Sequence, residues 1–228
     1  MANSKRTVVY AATPNQYPTL VACANSAALN GNIDETILLI ENDYFPFEVL
    51  GNIRTINVAN QPWIDKTTPN AKMRWTYMSM MRCALAHLLP DYERVLWLDT
   101  DTIVEHDISA LWDFDFTGYY YAGVPQPKDS NNGRIYINAG VLLCNLVELR
   151  DGKEDKIIEA LNNKWYGFPD QDCTNELCEG RILPLEGRYN ISRFTKPDTE
   201  TYIRHYAAQG LPMQEYVKYT RGVNNGKL

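Results

Sequence analysis

The sequence predicts an α/β fold built on a mostly parallel, mixed sheet, and three observations carry that expectation. Short runs rich in β-branched and apolar residues recur through the N-terminal half, at 7–12 (TVVYAA), 36–40 (TILLI), 54–58 (RTINV) and 94–98 (RVLWL). Such runs, bounded by turn residues, are the pattern of buried strands. Segments with helical spacing stand between them, at 17–30 and 73–89. Strands alternating with helices call for crossover connections, which make neighbouring strands parallel and cover both sheet faces.

Each element has its own justification. The run 7–12 stops at Thr13-Pro14-Asn15, a turn signal. The helix at 17–30 places Leu20, Val21, Ala24, Ala27 and Ala28 near one face and ends at Asn30-Gly31. In 73–89, Met73, Tyr77, Met80, Met81, Ala84, Leu85 and Leu88 recur at helical spacing before Pro90. Beyond Asp101 the pattern loosens: 119–124 and 140–145 read as strands, 125–134 as a Pro-, Asn- and Gly-rich loop, and 155–162 and 170–179 as helices. From Gly187 no period is clear. With 228 residues and neither linker nor repeat, one domain is expected, with a nucleotide-binding part at about 1–101 and a sugar and acceptor part at about 102–228.

Composition narrows the function. A 45% hydrophobic and 22% charged chain is an ordinary globular one, and a net charge of −6 argues against a nucleic-acid binder. Five cysteines without metal-finger spacing are expected to be reduced, buried thiols. No apolar run is long enough to span a membrane and none at the N-terminus reads as a signal, so a cytoplasmic location is expected.

The chemistry concentrates in RVLWLDTDT. Asp99 and Asp101 follow the carboxyl end of an apolar strand, the edge at which open α/β sheets bind ligands. One residue apart on extended backbone, their carboxylates project to one side and repel, and a shared hard cation relieves that. Such a cation bridges diphosphate oxygens and offsets charge on a departing nucleoside diphosphate. Asp-x-Asp alone is a weak motif. Asp-Thr-Asp-Thr also resembles the nucleophile motif of haloacid-dehalogenase-like phosphatases, in which Asp99 would attack phosphorus. In those enzymes the motif follows the first strand, whereas a whole strand–helix–strand–strand–helix unit precedes it here.

Four ordered motifs together resemble glycosyltransferase family 8, from about Val8 to Tyr206: RVLWLDTD, Tyr136-Ile137-Asn138-Ala139-Gly140-Val141, Asp170-Gln171-Asp172 and His205-Tyr206. The resemblance implies a GT-A fold, a UDP-sugar donor, a hydroxyl acceptor of unknown identity and transfer of a hexose with retention at the anomeric carbon. It implies that Ala11 and Thr13 lie beside the uracil, that Tyr17 stacks on it, and that Arg82, seventeen positions before Asp99, contacts donor phosphate or sugar. Asn138 and Ala139 are implied to bond sugar hydroxyls, Asp170 to accept from them and Gln171 to lie near the anomeric carbon. His205 becomes the third metal ligand beside Asp99 and Asp101; a mixed oxygen and nitrogen set suits Mn²⁺ better than Mg²⁺, which remains an alternative.

The sequence departs from that pattern in two places. After His205-Tyr206 the family commonly continues Gly-x-x-Lys-Pro-Trp, whereas here Ala208, Leu211 and Met213 replace the glycine, lysine and tryptophan. Either Arg204 or Lys218 substitutes for that lysine or turnover is slow; with the diphosphate held mainly by the metal and Arg82 as its basic helper, Leu211→Lys is expected to strengthen UDP binding, the alternative being that Lys218 or Arg221 reaches the phosphates. Gln126 stands where relatives often have a sugar-contacting Asp. No residue reads as a convincing covalent nucleophile, while Asp129, Asp170 and Asp172 stay open as the base an inverting enzyme would need. A non-catalytic domain that binds a nucleotide sugar or glycan also stays open.

Overall fold

The computed structural model describes residues 5–127, 134–195 and 200–221. Its centre is a seven-stranded sheet of β1 (Thr7–Ala11), β2 (Glu35–Ile40), β3 (Ile53–Asn57), β4 (Arg94–Leu98), β6 (Tyr121–Pro125), β7 (Ile137–Asn145) and β8 (Ile182–Pro184), in the order β3-β2-β1-β4-β7-β6-β8. Strands β3, β2, β1 and β4 run parallel, β7 is antiparallel to both its neighbours, and β8 is parallel to β6. The sheet is therefore mixed and mostly parallel, as the strand–helix alternation predicts. A separate ribbon pairs β5 (Thr102–Val104) antiparallel to β9 (Ile203–His205).

Strands β1, β2, β4 and β7 bury both faces, which is why they read as apolar runs, whereas the edge strand β3 is largely exposed. Val9, Ile37, Leu39 and Trp97 face one core, and Val8, Tyr10, Leu38, Leu96 and Leu98 face the other, following the two-residue period of a strand. Helix α1 (Tyr17–Asn30) spans the predicted residues and packs its Leu20, Cys23, Ala24 and Ala27 into the second core. Helices α5 (Lys153–Asn163) and α6 (Pro169–Leu177) supply Ile157, Leu161 and Cys173 to the first. All five cysteines are buried and unpaired. Among the described residues no helix is long and apolar enough to cross a membrane.

The segment 73–89 departs from the single helix expected of it. It divides into α2 (Thr76–Met80), a 3-10 turn (Met81–Ala84) and α3 (Leu85–Leu88). Thr76 enters with a left-handed φ of 58°, unusual for a β-branched residue. Arg82, in the 3-10 turn, reaches back to the end of α2, where the Ser79 carbonyl accepts from its Nε at 2.8 Å. Also unforeseen are β5, β8, β9, α4 (Leu146–Leu149) and α7 (Met213–Thr220). The strands among these have three residues each, too few to show a period.

One buried carboxyl ties α5 to α3. Glu154 accepts the N–H groups of Ala86 and His87, each at 2.7 Å. Burial pushes its carboxyl up to about 7, above what the two N–H donors and His87 pull down. A folded-state value above the unfolded one means that the native chain holds the extra proton, so stability falls as pH rises from about 4.5 to about 7. Thermal melts from pH 5 to 8 should show that decline, and Glu154→Gln should flatten it at some cost in the N–H bonds. A decline of equal slope in the variant would assign it to other groups.

Candidate active site

Strand register assembles the site. Pairing of β4 with β7 sets Leu98 opposite Val141, and the next residue, Asp99, donates its N–H to Gly140 O at 2.9 Å. Pairing of β5 with β9 sets Thr102 opposite His205, and Tyr206 N–H bonds Asp101 O at 2.9 Å. The turn bearing both aspartates is thus clamped between two strands that come from far along the chain. His205 Nε2 lies 3.1 Å from Asp101 Oδ1 and 3.9 Å from Asp99 Oδ2. One ligand atom from each of Asp99, Asp101 and His205 lies within 4.8 Å of the others.

Two further observations test whether these residues fit a divalent cation. His205 is buried, and its Nδ1 bonds Asn190 Oδ1 at 3.0 Å, which turns Nε2 toward the carboxylates. A Cβ on Gly140 would stand 2.1 Å from His205 Cε1, so only glycine lets the ring occupy this place. Burial alone would push the imidazole down, but Asp101 and Asp99 outweigh it and hold the ring above its ordinary value. The pocket therefore favours positive charge between its carboxylates. Two oxygens and one nitrogen at this spacing fit a borderline divalent ion.

Arg82 is the second centre of charge. It is 2% exposed, with Nη2 2.7 Å from Asp99 Oδ1 and Nε 2.9 Å from Asp170 Oδ2. It also donates to the carbonyl of Ala139 and lies over the Trp97 ring. Trp97 Nε1 adds a bond to Asp99 Oδ1 at 2.9 Å. Arg82 is thus buried between two carboxylates that match its charge. Burial lifts the Asp170 carboxyl above its usual range although Arg82 pulls it down.

The other predicted residues divide. Ala11 and Thr13 lie at the carboxyl end of β1, the sheet edge that also bears Asp99. Asn138 and Ala139 lie in β7, and Asp170 and Gln171 in the first turn of α6, joined by bonds from Asn138 Nδ2 and Ala139 N to Gln171 Oε1 at 3.0 and 3.1 Å. Tyr17 is a correction. Its ring is 2% exposed and packs on Phe45, and its hydroxyl accepts the N–H of Glu41, so no face is open for stacking on a base. Asp129 lies outside the described residues. Sequence reasoning missed Asn190, which carries no motif by itself and shows its place only through His205.

The departures also find a place. Leu211 packs partly buried against apolar clusters that include Ile203 and Tyr219, Arg204 is paired with Glu105 at 2.7 Å, and Lys218 lies over the Tyr219 ring. A lysine at 211 would have to leave that apolar contact, so the gain in nucleotide affinity expected of it loses its basis. Ala208 holds a φ of 59° where the family has glycine. Ala208→Gly should relieve left-handed strain and raise stability by about 0.5–1 kcal/mol after the entropy of glycine is counted. Urea unfolding checks it; a lower stability would mean that the turn tolerates alanine without strain.

Comparison with known proteins converges on one family. The model of glycosyl transferase family 8 matches residues 8–211. Glycosyltransferase GlyF of Streptococcus pneumoniae is 25% identical, over 93% of this chain and 58% of that protein. Lipopolysaccharide 1,2-glucosyltransferase of Escherichia coli is 30% identical, over 56% of this chain and 46% of that protein. The chain spans roughly half the length of such curated relatives. The structure of galactosyltransferase LgtC with donor and acceptor sugar analogues superposes with a TM-score of 0.73 at 19% identity, covering 96% of both chains. That likeness shows the GT-A fold. The phosphatase reading of Asp99 finds no support in any of these relatives. With a family model matching most of its length, the chain belongs to glycosyltransferase family 8.

Proposed function

We propose that the chain transfers a hexose from a UDP-sugar to a hydroxyl acceptor, with retention at the anomeric carbon and with Mn²⁺ preferred over Mg²⁺. The carrying observation is the convergence of Asp99, Asp101 and His205 at the carboxyl edge of β4. When bound there, a divalent cation would act as a Lewis acid toward the diphosphate of the departing nucleotide. Residues up to about 101 form the nucleotide side and those beyond it the sugar and acceptor side.

The chain's own residues supply position. Arg82 holds Asp99 and Asp170 in one frame, so the acidic turn and the start of α6 keep a set separation. Asp170 is the acceptor for sugar hydroxyls, its Oδ1 already receiving Ser79 Oγ at 3.3 Å. Asp172 is bonded to Tyr136 and to the N–H of Phe168, and Asp170 is paired with Arg82, so neither is a free base opposite a leaving group. That favours a front-face displacement, which rests on positioning and charge stabilisation without a covalent nucleophile.

The test is a panel of UDP- and GDP-sugars with Mn²⁺, Mg²⁺ or chelator, the product anomer read by NMR. Release of a sugar with retained configuration, dependent on Mn²⁺ and specific to UDP donors, is expected. Turnover that survives chelation would remove the metal, an inverted product would remove retention, and UDP binding without turnover would make this a binding domain.

A further inference from the structure

A chain of side-chain hydrogen bonds leads from His205 across the site to α6, and its polarity has only one solution. The N–H groups of Gly140 and Ala139 can only donate, and they reach Asn138 Oδ1 and Gln171 Oε1, each at 3.1 Å. Both amide oxygens are therefore acceptors. Asn138 must then turn its Nδ2 to Gln171 Oε1, at 3.0 Å, and Asn190 must turn its Nδ2 to Asn138 Oδ1, at 2.9 Å. That leaves Asn190 Oδ1 facing His205 Nδ1, so the hydrogen belongs on Nδ1.

The far end enforces the same direction. The Asp172 carboxylate accepts from Tyr136 hydroxyl at 2.5 Å and from Phe168 N–H at 2.8 Å. With its hydrogen given to Asp172, the Tyr136 oxygen receives Gln171 Nε2 at 3.1 Å, and the other Nε2 hydrogen goes to Gln126 Oε1 at 3.2 Å. The Gln171 amide is saturated by protein partners, with both hydrogens and both lone pairs in use.

We propose that Asn190 is a positioning residue which, at the end of a one-way relay anchored on Asp172 through Tyr136, holds His205 with hydrogen on Nδ1 and Nε2 turned to Asp99 and Asp101. Its use rests on the metal-site reading above; the hydrogen position does not. The relay also makes Gln171 the joint between α6 and β7 and assigns the second aspartate of Asp170-Gln171-Asp172 to fixing that joint.

The test uses the full chain, metal-free and ¹⁵N-labelled, with long-range imidazole spectra. Wild type should show one slowly exchanging Nδ1–H, from buried His205; the rings of His87 and His106 are 38% and 50% exposed and should show none. Asn190→Ala should accelerate that exchange at least about tenfold and weaken binding of Mn²⁺ alone by about 10- to 100-fold. Tyr136→Phe, which removes one hydroxyl remote from the His205 ring, should shift the same signal in a folded protein. If Asn190→Ala does not fold, Asn190→Asp keeps the acceptor for Nδ1–H and should retain the signal. A wild type without a protected Nδ1–H, or a folded Asn190→Ala whose exchange is unchanged, overturns the relay. A wild type that shows the signal but binds no Mn²⁺ overturns the metal reading and leaves the relay standing.

Discussion

Asp101→Asn should lower metal-dependent transfer by about 100- to 1000-fold, the several kcal/mol that a bound cation contributes against developing charge. The substitution keeps the shape and removes one negative charge from the three-residue cluster. It should leave the fold intact, because the side chain is 25% exposed and its described partner is His205. The backbone carbonyl that receives Tyr206 N–H is untouched. Calorimetry of UDP with and without Mn²⁺ on the folded variant separates the outcomes. An unchanged Mn²⁺-dependent affinity would remove Asp101 from the site. Asp99 is the less clean probe, since its Oδ1 also receives Arg82 and Trp97 and its loss disturbs the core.

Arg82→Met should destabilise the protein by about 3–5 kcal/mol, the usual cost of leaving a buried charge without its partner. Two carboxylates depend on this guanidinium, and Asp170 is itself buried. Burial already raises the Asp170 carboxyl while Arg82 opposes it; without Arg82 the carboxyl should take up a proton more readily still. Adding Asp170→Asn to Arg82→Met should then recover part of the loss, since one of the stranded charges is gone. Urea unfolding of the single and double variants measures both steps. A single variant within 1 kcal/mol of wild type, on the scale of surface substitutions, would show that water replaces the guanidinium without difficulty.

Gln126 sits apart from both variants, bonded to Gln171 and to the Tyr136 carbonyl. The resemblance puts an aspartate there; this chain has a buried glutamine whose Oε1 receives Gln171. A carboxylate would add charge to a relay that already ends on Asp172, whereas the amide oxygen accepts the second Nε2 hydrogen without it.

What was legible in the sequence is what repeats or clusters locally. The runs 7–12, 36–40, 54–58 and 94–98 became β1 to β4 within a residue at either end: β1, β2 and β4 because strands buried on both faces need apolar side chains, and the exposed edge strand β3 through its β-branched residues. The aspartates were legible because a ligand edge follows the carboxyl end of such a strand. Three-residue strands were not, since they lack the length to show a period.

Tertiary structure alone decided how distant residues meet. His205 joins Asp101 only because β9 pairs with β5 across the intervening chain, and nothing within either segment encodes that register. Arg82 read as a helical cation near a phosphate; a 3-10 turn and two carboxylates from other elements made it a buried strut. Tyr17 read as a ring for a base, but Phe45 covers it from a loop without a pattern. The order of bonds from Asp172 to His205 depends on two backbone N–H groups in β7, whose direction only a folded strand defines. Local pattern records burial and turn chemistry, which act between neighbours in sequence. Register, ion pairing and hydrogen-bond polarity act between neighbours in space, and the folded chain determined those.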